Sequence, residues 1–493
     1  MATKFTRPAP TAFQAKTAHK IKLREAIKFH KHCFMSKTDI AIVGGAFTGL
    51  SAAAALAAQG LKVAVFDNLP GPNPQYRGEL IHPLGVRGLS KWGLLEPLRK
   101  AGGLDLSGFA VTPEDGGEAV LLDYPPWGGP GLGIEQHAIV NTMRAEVSAR
   151  PNVQLHLGKR VEGLLRENGR IVGLYLEDGE EVRAELTIGA DGRQSHMRQW
   201  LGVPHKIKLL SYSVILSVSE DALPYGRRGH VFLGAPGTIL AYPYGENLVR
   251  LCIDVSVDAP KGPSAWRNML LNEYVPKMHE PLRTAVEKVL KDESQPIAAA
   301  GTHSIRTEAC VVPGALLAGD AAGCAHPLTA GGMLNAVNDV LIFSECLAKE
   351  GPSDEALKTF QRMRYRFIRS REMFTDALYE VFSSKAEGAR GLRKGIMHYW
   401  LDSERARAAS MRILSGDETS PTAFLGEYTR VMGLSTLAII KSENDKLTER
   451  ALRLSALLQT SLGRLERAAE ITLGQLYADQ KTRLSSLPPL KGE

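Results

Sequence analysis

The sequence predicts an α/β protein in which a parallel βαβ domain is interleaved with a second domain on a mixed β-sheet, followed by a C-terminal helical region. Three observations carry this prediction. A strand, a glycine turn, a helix and a second strand follow one another from residue 38. Residues 207–256 read as consecutive strands, and the apolar spacing is helical from about residue 353 onward. The 493 residues also exceed what one hydrophobic core usually needs.

The first unit is a βαβ motif. Asp39 to Val43 is a compact apolar strand, and Leu50 to Gln59 is rich in alanine and therefore strongly helical. Gly60 ends that helix, because glycine readily adopts the left-handed backbone found at helix C-termini. Leu61 to Phe66 then alternates valine and alanine as a second strand. This order predicts the start of a Rossmann-type sheet.

The later elements follow in order, with a hairpin turn at Asp178-Gly179. The remaining predicted elements are strands within 105–128, a helix over 134–149, strands near 152–157, 160–165 and 171–176, strands over 207–256, helical residues 264–291, a strand from Ala315 to Ala318 and a helix from about Met333.

Composition and element order divide the chain into five segments. The nucleotide-binding domain is expected to be interrupted in the sequence by a substrate-facing sheet and to resume after it. The predicted boundaries are 1–37 for a basic, disordered N-terminal extension, 38–205 for the first part of the nucleotide-binding domain with inserted strands, 206–300 for the substrate-binding β-sheet domain, 301–350 for the return segment and 351–493 for the C-terminal helical region.

The net charge of +7 comes from the N-terminal extension. Residues 1–37 hold nine lysines and arginines and one acid, which leaves 51 basic against 52 acidic residues elsewhere. No stacking or groove-reading module accompanies the basic segment, so a nucleic-acid partner is not expected. The extension could be a transit-like peptide or a surface-binding tail, but we favour a translation start at Met35.

The five cysteines are scattered and form no C-x-x-C pair, so neither a metal site nor a disulfide framework is expected. Reduced thiols suit a cytoplasmic location. No segment has the ~18 consecutive apolar residues of a membrane span. Leucines near helical spacing over 443–480 predict a helix packed on the body or in a dimer, with peripheral contact at a membrane surface as the alternative.

A glycine-rich turn after the first strand is the first motif with chemical meaning. In a dinucleotide fold, such glycines permit the tight turn, the approach of the pyrophosphate and close packing of helix on strand. The phosphate then lies at the helix N-terminus, where free amides and the dipole favour an anion. The acid Asp67 ends the second strand, where it can accept ribose hydroxyls. The predicted cofactor-binding residues here are Gly44, Gly45, Ala46, Phe47, Thr48, Gly49, Asp67 and Asn68.

Two later motifs favour FAD over other dinucleotides. The run Ile188 to Arg193, containing Asp191, is similar to the Asp-Gly fingerprint of flavoprotein monooxygenases. In the segment Pro313 to Asp339, an acid can hold ribityl hydroxyls, and two glycines at a helix start can expose amides toward the flavin's pyrimidine edge. The predicted FAD-binding residues of this segment are Gly319, Asp320, Pro327, Gly331, Gly332 and Met333.

The run "PGALLAGD…HPLTAGGM" resembles the squalene monooxygenase family more than generic aromatic hydroxylases. "ALYEVFSS" at 377–384 and "GLRKGIMHYW" at 391–400 are similar to that family's helical region, and the resemblance extends from about residue 38 to 425. It implies a para-hydroxybenzoate-hydroxylase-like fold and an FAD-dependent monooxygenase. The positions that the resemblance places on FAD are Phe47, Thr48, Asp67, Arg144, Val161, Asp320 and Met333, with Arg77 and Glu79 beside them.

Two positions depart from the family at the flavin's reactive edge. Where the family has a tyrosine and a glutamine, this chain has Phe109 and His82. Phe109 cannot donate a hydrogen bond, whereas histidine titrates near neutrality and could orient a water or the reactive oxygen. We expect these two residues to be catalytic and His326 to be structural.

The resemblance implies that reduced FAD forms a C4a-hydroperoxide with O2 and transfers one oxygen atom to a lipophilic substrate in a closed apolar pocket. We expect epoxidation or hydroxylation of a terpenoid or squalene-like alkene. The alternatives are an aromatic or quinone-pathway hydroxylase that uses NAD(P)H directly, a flavoprotein that reduces isoprenoid double bonds, and a non-catalytic flavin-binding partner protein. The electrons are expected to come from NADPH or from a separate flavin reductase. Because no second nucleotide fingerprint is found, a requirement for the reductase would favour the epoxidase.

Overall fold

The computed structural model describes residues 37–71, 78–234, 236–442 and 446–463, together with 466 and 469. The prediction for the basic extension therefore lies outside the described residues, apart from Lys37. The same holds for Arg77 and for most of the chain after residue 463. Within these limits the predicted fold class is confirmed: the chain is α/β, with several sheets and a C-terminal helical region.

The described strands and helices follow one another along most of the chain. The strands are β1 (Thr38–Val43), β2 (Val63–Asp67), β3 (Gly78–Ile81), β4 (Leu104–Leu106), β5 (Gly108–Thr112), β6 (Val120–Asp123), β7 (Gly131–Glu135), β8 (Val153–Leu157), β9 (Val161–Glu167), β10 (Arg170–Leu176), β11 (Glu181–Gly189), β12 (His205–Val218), β13 (Gly229–Phe232), β14 (Ile239–Gly245), β15 (Leu248–Val255), β16 (Ala298–Thr307), β17 (Val311–Val312) and β18 (Ala315–Leu317). The α-helices are α1 (Phe47–Ala57), α2 (Pro83–Lys91), α3 (Leu95–Lys100), α4 (Gln136–Ser148), α5 (His196–Trp200), α6 (Pro263–Met269), α7 (Leu282–Lys291), α8 (Gly331–Glu350), α9 (Asp354–Ser383), α10 (Glu387–Asp402), α11 (Glu404–Ser415) and α12 (Pro421–Ile440), and residues 447–463 are also helical.

A parallel sheet forms the centre of the nucleotide-binding half. Its strand order is β17-β18-β11-β1-β2-β8, with β9 and β10 attached through β11. β1 pairs in parallel with both β2 and β11, and β11 pairs in parallel with β18. The carboxyl ends of β1, β11 and β18 therefore meet at one edge of the sheet, and each is followed by one of the three predicted motifs.

A second, seven-stranded sheet has the order β16-β12-β15-β14-β13-β5-β6. It extends beyond the predicted segment 206–300, since it also includes β5, β6 and most of β16. The side chains alternate between two faces, as the period of a strand requires. One face packs on α6 and α7 through residues such as Leu251 and Ile253, and the opposite face carries Leu240 and Tyr242.

The C-terminal helices cover that second face. Met373, Trp400 and Tyr428, from α9, α10 and α12, share a hydrophobic core with the sheet. Leu457 from the last described helix is fully buried in the same core, whereas Leu447 is 82% exposed. The part of this helix around Leu457 therefore packs on the body of the protein. Among the described residues, no helix is long and apolar enough to cross a membrane.

Two helices begin earlier than the sequence predicts. α1 begins at Phe47 rather than Leu50, because the glycine turn ends at Ala46. α8 begins at Gly331 rather than near Met333, after Ala330 adopts a left-handed backbone with φ of 45°. Both shifts place the N-terminal turn of a helix, with its free amides, at the edge of the parallel sheet.

Candidate active site

The three predicted motifs lie against one another at the edge of the parallel sheet. Gly44 has φ of +109°, and a Cβ atom there would lie 2.3 Å from the carbonyl oxygen of Ala190. A Cβ on Gly319 would lie 2.5 Å from Thr48 Oγ1. Glycine is therefore required at both positions, because the first motif contacts the second through Gly44 and the third through Thr48.

Asp67 and Arg144 organise the first motif. The Gly45 amide donates to Asp67 Oδ2 at 2.6 Å, and Arg144 Nε donates to the Gly45 carbonyl at 3.0 Å. Arg144 Nη2 also lies 3.5 Å from Asp67 Oδ2. Arg144 is buried, yet its Nη1 has no hydrogen-bond partner within the described part of the chain. A buried cation with a spare donor beside an anion-binding helix N-terminus fits a nucleotide phosphate.

The second motif uses its acid to cap α5. Ser195 Oγ donates to Asp191 Oδ1 at 2.6 Å, and the Met197 amide donates to Asp191 Oδ2 at 3.0 Å. The following residue, Arg198, is 2% exposed and donates to the Ala321 carbonyl at 2.9 Å. These bonds fix the second motif against the third, so Asp191 contributes to the site mainly by shaping its backbone.

The third motif is held by a buried ion pair. Asp339 is fully buried, accepts a hydrogen bond from the Gly319 amide at 2.9 Å, and pairs with Arg364 Nε at 2.9 Å. The neighbouring Asp320 keeps 39% of its side chain exposed because it lines a cavity, where Arg193 Nε is 4.0 Å away. The buried pair thus aims the exposed acid into the cavity.

His326 links the loop before α8 (residues 326–330, the predicted flavin loop) to the second sheet. Its Nε2 lies 3.1 Å from Asp254 Oδ1 and 3.2 Å from Ser211 Oγ, and its Nδ1 accepts from the Leu328 amide at 3.1 Å. The ring also lies 4.1 Å, centroid to centroid, from Tyr379. These contacts agree with the structural role expected of this residue.

A cavity of about 740 Å³ runs between the two sheets and α9. Most of the predicted cofactor-binding residues line it, and Gly45, Gly49, Arg144 and Gly319 lie behind them, whereas Arg77 is outside the described residues. The predicted residues on the cavity wall are Gly44, Ala46, Phe47, Thr48, Asp67, Asn68, Glu79, Val161, Asp191, Asp320, Pro327, Gly331, Gly332 and Met333.

The structure places His82 and Phe109 behind the cavity wall rather than on it. His82 is fully buried, with Nδ1 2.7 Å from Tyr124 Oη and Nε2 2.7 Å from the Thr329 carbonyl. Burial lowers the pKa of His82 to about 4, so the expectation that it titrates near neutrality was wrong. Phe109 is 5% exposed and packs against the His82 ring at 6.0 Å. In this geometry both residues support the flavin loop from behind.

The far wall of the cavity combines apolar and polar side chains. Ile215, Leu240 and Ile368 present aliphatic surface from β12, β14 and α9. Arg250 lies among them and donates through Nε to Cys252 Sγ at 3.2 Å. The nearby Tyr242 is buried, which raises the pKa of its phenol. This wall of the cavity is therefore partly aliphatic, but it also contains a cation.

Sequence reasoning missed three residues that support the site. Arg364 and Arg371 lie seven residues apart on one face of α9, and both line the cavity. Tyr124, from the segment after β6, holds His82 in place. An arginine in an amphipathic helix usually faces solvent. The sequence positions of Arg364 and Arg371 therefore gave little indication that they are buried. Only the three-dimensional packing of α9 on the flavin loop shows that they are buried.

The chain matches several known proteins. A squalene epoxidase family model matches residues 183–452, and a model of the NAD(P)-binding Rossmann-like domain matches residues 42–98. Squalene epoxidase 3 of Arabidopsis thaliana is 30% identical over 415 residues, which cover 80% of this chain and 77% of that protein. Squalene monooxygenase of Mus musculus is 24% identical over 468 residues, 91% of this chain and 79% of that protein.

Solved structures share the fold at lower sequence identity. PqsL, a probable FAD-dependent monooxygenase from Pseudomonas aeruginosa, matches with a TM-score of 0.61 at 19% identity, over 76% of this chain and 99% of that chain. The flavin-dependent brominase Bmp2 matches with a TM-score of 0.67 at 13% identity, over 82% of this chain and 100% of that chain.

The fold, the three converging motifs and these matches define an FAD-dependent monooxygenase, an oxidoreductase that takes a lipophilic substrate and O2. Within that class, the chain belongs to the squalene epoxidase family, since the family model covers more than half of its residues. The predicted family resemblance is thereby confirmed.

Proposed function

We propose that this chain epoxidises an isolated double bond of a terpenoid, squalene-like alkene with O2. The observation that carries the proposal is the cavity, which joins the three glycine motifs to an aliphatic wall of Ile215, Leu240 and Ile368. The names of its relatives, squalene epoxidases from a plant and a monooxygenase from a mouse, support the same substrate class. Hydroxylation of a similar lipophile is a variant of this proposal.

We assign the FAD to the three motifs that line the cavity and to Arg144, which lies behind them. Arg144 and the N-terminus of α1 would hold the pyrophosphate, Asp67 the ribose, and Asp320 the ribityl hydroxyls. The N-terminal amides of α8, at Gly331 and Gly332, would lie against the flavin's pyrimidine edge. When bound there, FAD supplies the oxygen-activating chemistry that no amino-acid side chain provides.

The protein's own contribution is to position the substrate and exclude water. The helices α9, α10 and α12 cover the face of the second sheet that carries Leu240. They contribute Met373, Trp400 and Tyr428 to its hydrophobic core. His82 remains neutral and holds the Thr329 carbonyl at 2.7 Å, which fixes the loop between the FAD site and the substrate wall. We therefore assign His82 and Phe109 a positioning role beside the flavin edge.

We propose that a separate reductase supplies electrons from NADPH. The match to the NAD(P)-binding domain at residues 42–98 falls on the segment that we assign to FAD, so it adds no second nucleotide site. A chain that oxidises NADPH directly when substrate is added, without a reductase, would favour the aromatic-hydroxylase alternative instead.

The test uses purified holoenzyme with squalene, isotopically labelled oxygen gas, NADPH and an added flavoprotein reductase, followed by mass spectrometry. We expect a product that carries a single labelled oxygen atom. Its formation should require the added reductase. Asp402→Ala, an exposed acid on α10, is the control that should leave the yield unchanged. Squalene recovered unchanged, with lipid extracts also giving no labelled product, would overturn the proposal.

A further inference from the structure

Arg371 on α9 is a buried cation that is only partly paired. It is 4% exposed, and its Nη1 donates to the carbonyl oxygens of Ile413 and Leu414 at 2.5 and 3.2 Å. Its Nε and Nη2 are buried and have no hydrogen-bond partner among the described residues. Leaving such donors unsatisfied is costly, so an acceptor that fills the cavity is expected to complete them.

Two other buried arginines among the described residues have a carboxylate partner. Arg364 pairs with Asp339, and Arg393 pairs with Glu114 at 3.0 Å. In the described part of the chain, no carboxylate oxygen forms a salt bridge with Arg371. Burial lowers the pKa of Arg371 to about 10, which still leaves the guanidinium charged at neutral pH. The cavity therefore contains an uncompensated positive charge.

One of the unsatisfied donors, Nη2, lies at the N-terminus of α8. A Cβ atom on Gly331 would be 3.4 Å from Arg371 Nη2, and both residues line the cavity. The first amides of a helix have no intrahelical acceptor. The guanidinium and the helix N-terminus thus share one small volume, and both favour negative charge there.

We propose that Arg371 donates to the pyrimidine edge of bound FAD and selectively stabilises the charge that the flavin gains on reduction. This inference rests on the FAD placement proposed above. Two electrons and one proton convert neutral oxidised flavin into a reduced form with one negative charge. A cation in contact with that charge, away from bulk water, stabilises the reduced form more than the oxidised form and so raises the reduction potential.

The experiment measures the midpoint potential of bound flavin, by equilibration with a reference dye, in the purified holoenzyme and its variants. Arg371→Gln keeps donors for the carbonyls of Ile413 and Leu414 but removes the charge, whereas Arg371→Lys keeps the charge. The matched control is Arg267→Gln, because Arg267 is 7% exposed, donates to carbonyl oxygens of Val289 and Leu290, and is not on the cavity wall.

We expect Arg371→Gln to weaken the preference for reduced flavin at least tenfold, which is about 30 mV for a two-electron couple. The lysine variant and the Arg267 control should stay close to the unmodified enzyme. Equal potentials for the glutamine variant and the unmodified enzyme would overturn the inference. Flavin content is measured separately to detect failure of the FAD site itself. A chain that binds no FAD lacks the proposed acceptor, and this result would also refute the inference.

Discussion

Individual polar residues of this chain have roles that differ from those their sequence positions indicate. Asp191 belongs to a flavoprotein fingerprint, yet both of its carboxylate oxygens accept bonds from within the α5 turn. His82 aligns with a position beside the flavin, yet it is buried between Tyr124 and Thr329. A motif identifies the backbone path correctly, but the hydrogen-bond partners of each side chain come from distant segments.

Asp320 offers the clearest prediction at the scale of one residue. Replacing it by alanine removes an acceptor for ribityl hydroxyls, so FAD affinity should fall by ~1–3 kcal/mol, or roughly 5- to 150-fold. Titration of the apoprotein with FAD, followed by flavin fluorescence, measures the change. Asp402→Ala serves as the control, and full FAD affinity in Asp320→Ala would remove this residue from the site.

His82 predicts a pH dependence. Its pKa falls from 6.5, the ordinary value for histidine, to about 4 in the folded protein, so the unfolded chain takes up the proton first as pH falls. Stability from this residue is therefore complete above about pH 6.5 and declines toward pH 4, by roughly 3 kcal/mol in total.

His82→Gln isolates that contribution. Glutamine can still bridge Tyr124 and Thr329 but does not titrate. Urea unfolding at several pH values between 4 and 7.5 should show that the unmodified enzyme loses more stability on acidification than the variant does. Parallel pH profiles for the two proteins would show that His82 is not the titrating group.

At the scale of elements, one buried ion pair joins α8 to α9 and holds the turn that carries Asp320. Arg364→Met leaves the Asp339 carboxylate buried without its cation, which should cost about 3–5 kcal/mol in the free energy of unfolding. The double variant Asp339→Asn with Arg364→Met should lose less than the sum of the single variants. Additive losses in urea unfolding would mean that the two residues are not coupled.

Local sequence signals predicted most of the elements. Alanine content predicts α1, and the Asp178-Gly179 turn predicts the hairpin of β10 and β11. α8 begins two residues before Met333, because Ala330 adopts a left-handed backbone that alanine seldom takes. Its conformation is imposed by the surrounding loop and is not visible in the local sequence.

In the whole molecule, the feature least predictable from the sequence is the pairing of strands that lie far apart along the chain. β5 and β6 belong by position to the nucleotide-binding half, but β5 pairs in parallel with β13 of the second sheet. Such pairing joins residues more than 100 positions apart, for example Phe109 with Gly229. The FAD motifs could be predicted because each follows a strand, whereas the supporting Arg371 and Tyr124 come from packing between domains.

The basic N-terminal extension gives a prediction about the whole chain. The first strand of the nucleotide-binding domain begins after this extension, at Thr38, so removal of residues 1–34 should leave flavin content unchanged. Absorbance of the purified truncated chain, relative to protein concentration, measures this. Loss of bound flavin or of soluble protein on truncation would show that the extension supports the fold.

The FAD stoichiometry of the purified chain and of its Gly44→Ala variant tests the central claim, that three separate glycine motifs form one FAD site. We predict one FAD per unmodified chain and little or none in the variant, because the added Cβ would lie 2.3 Å from the Ala190 carbonyl. An unmodified chain that stays colourless when FAD is supplied, or a variant that keeps its full flavin content, would show that the three motifs do not form one FAD site.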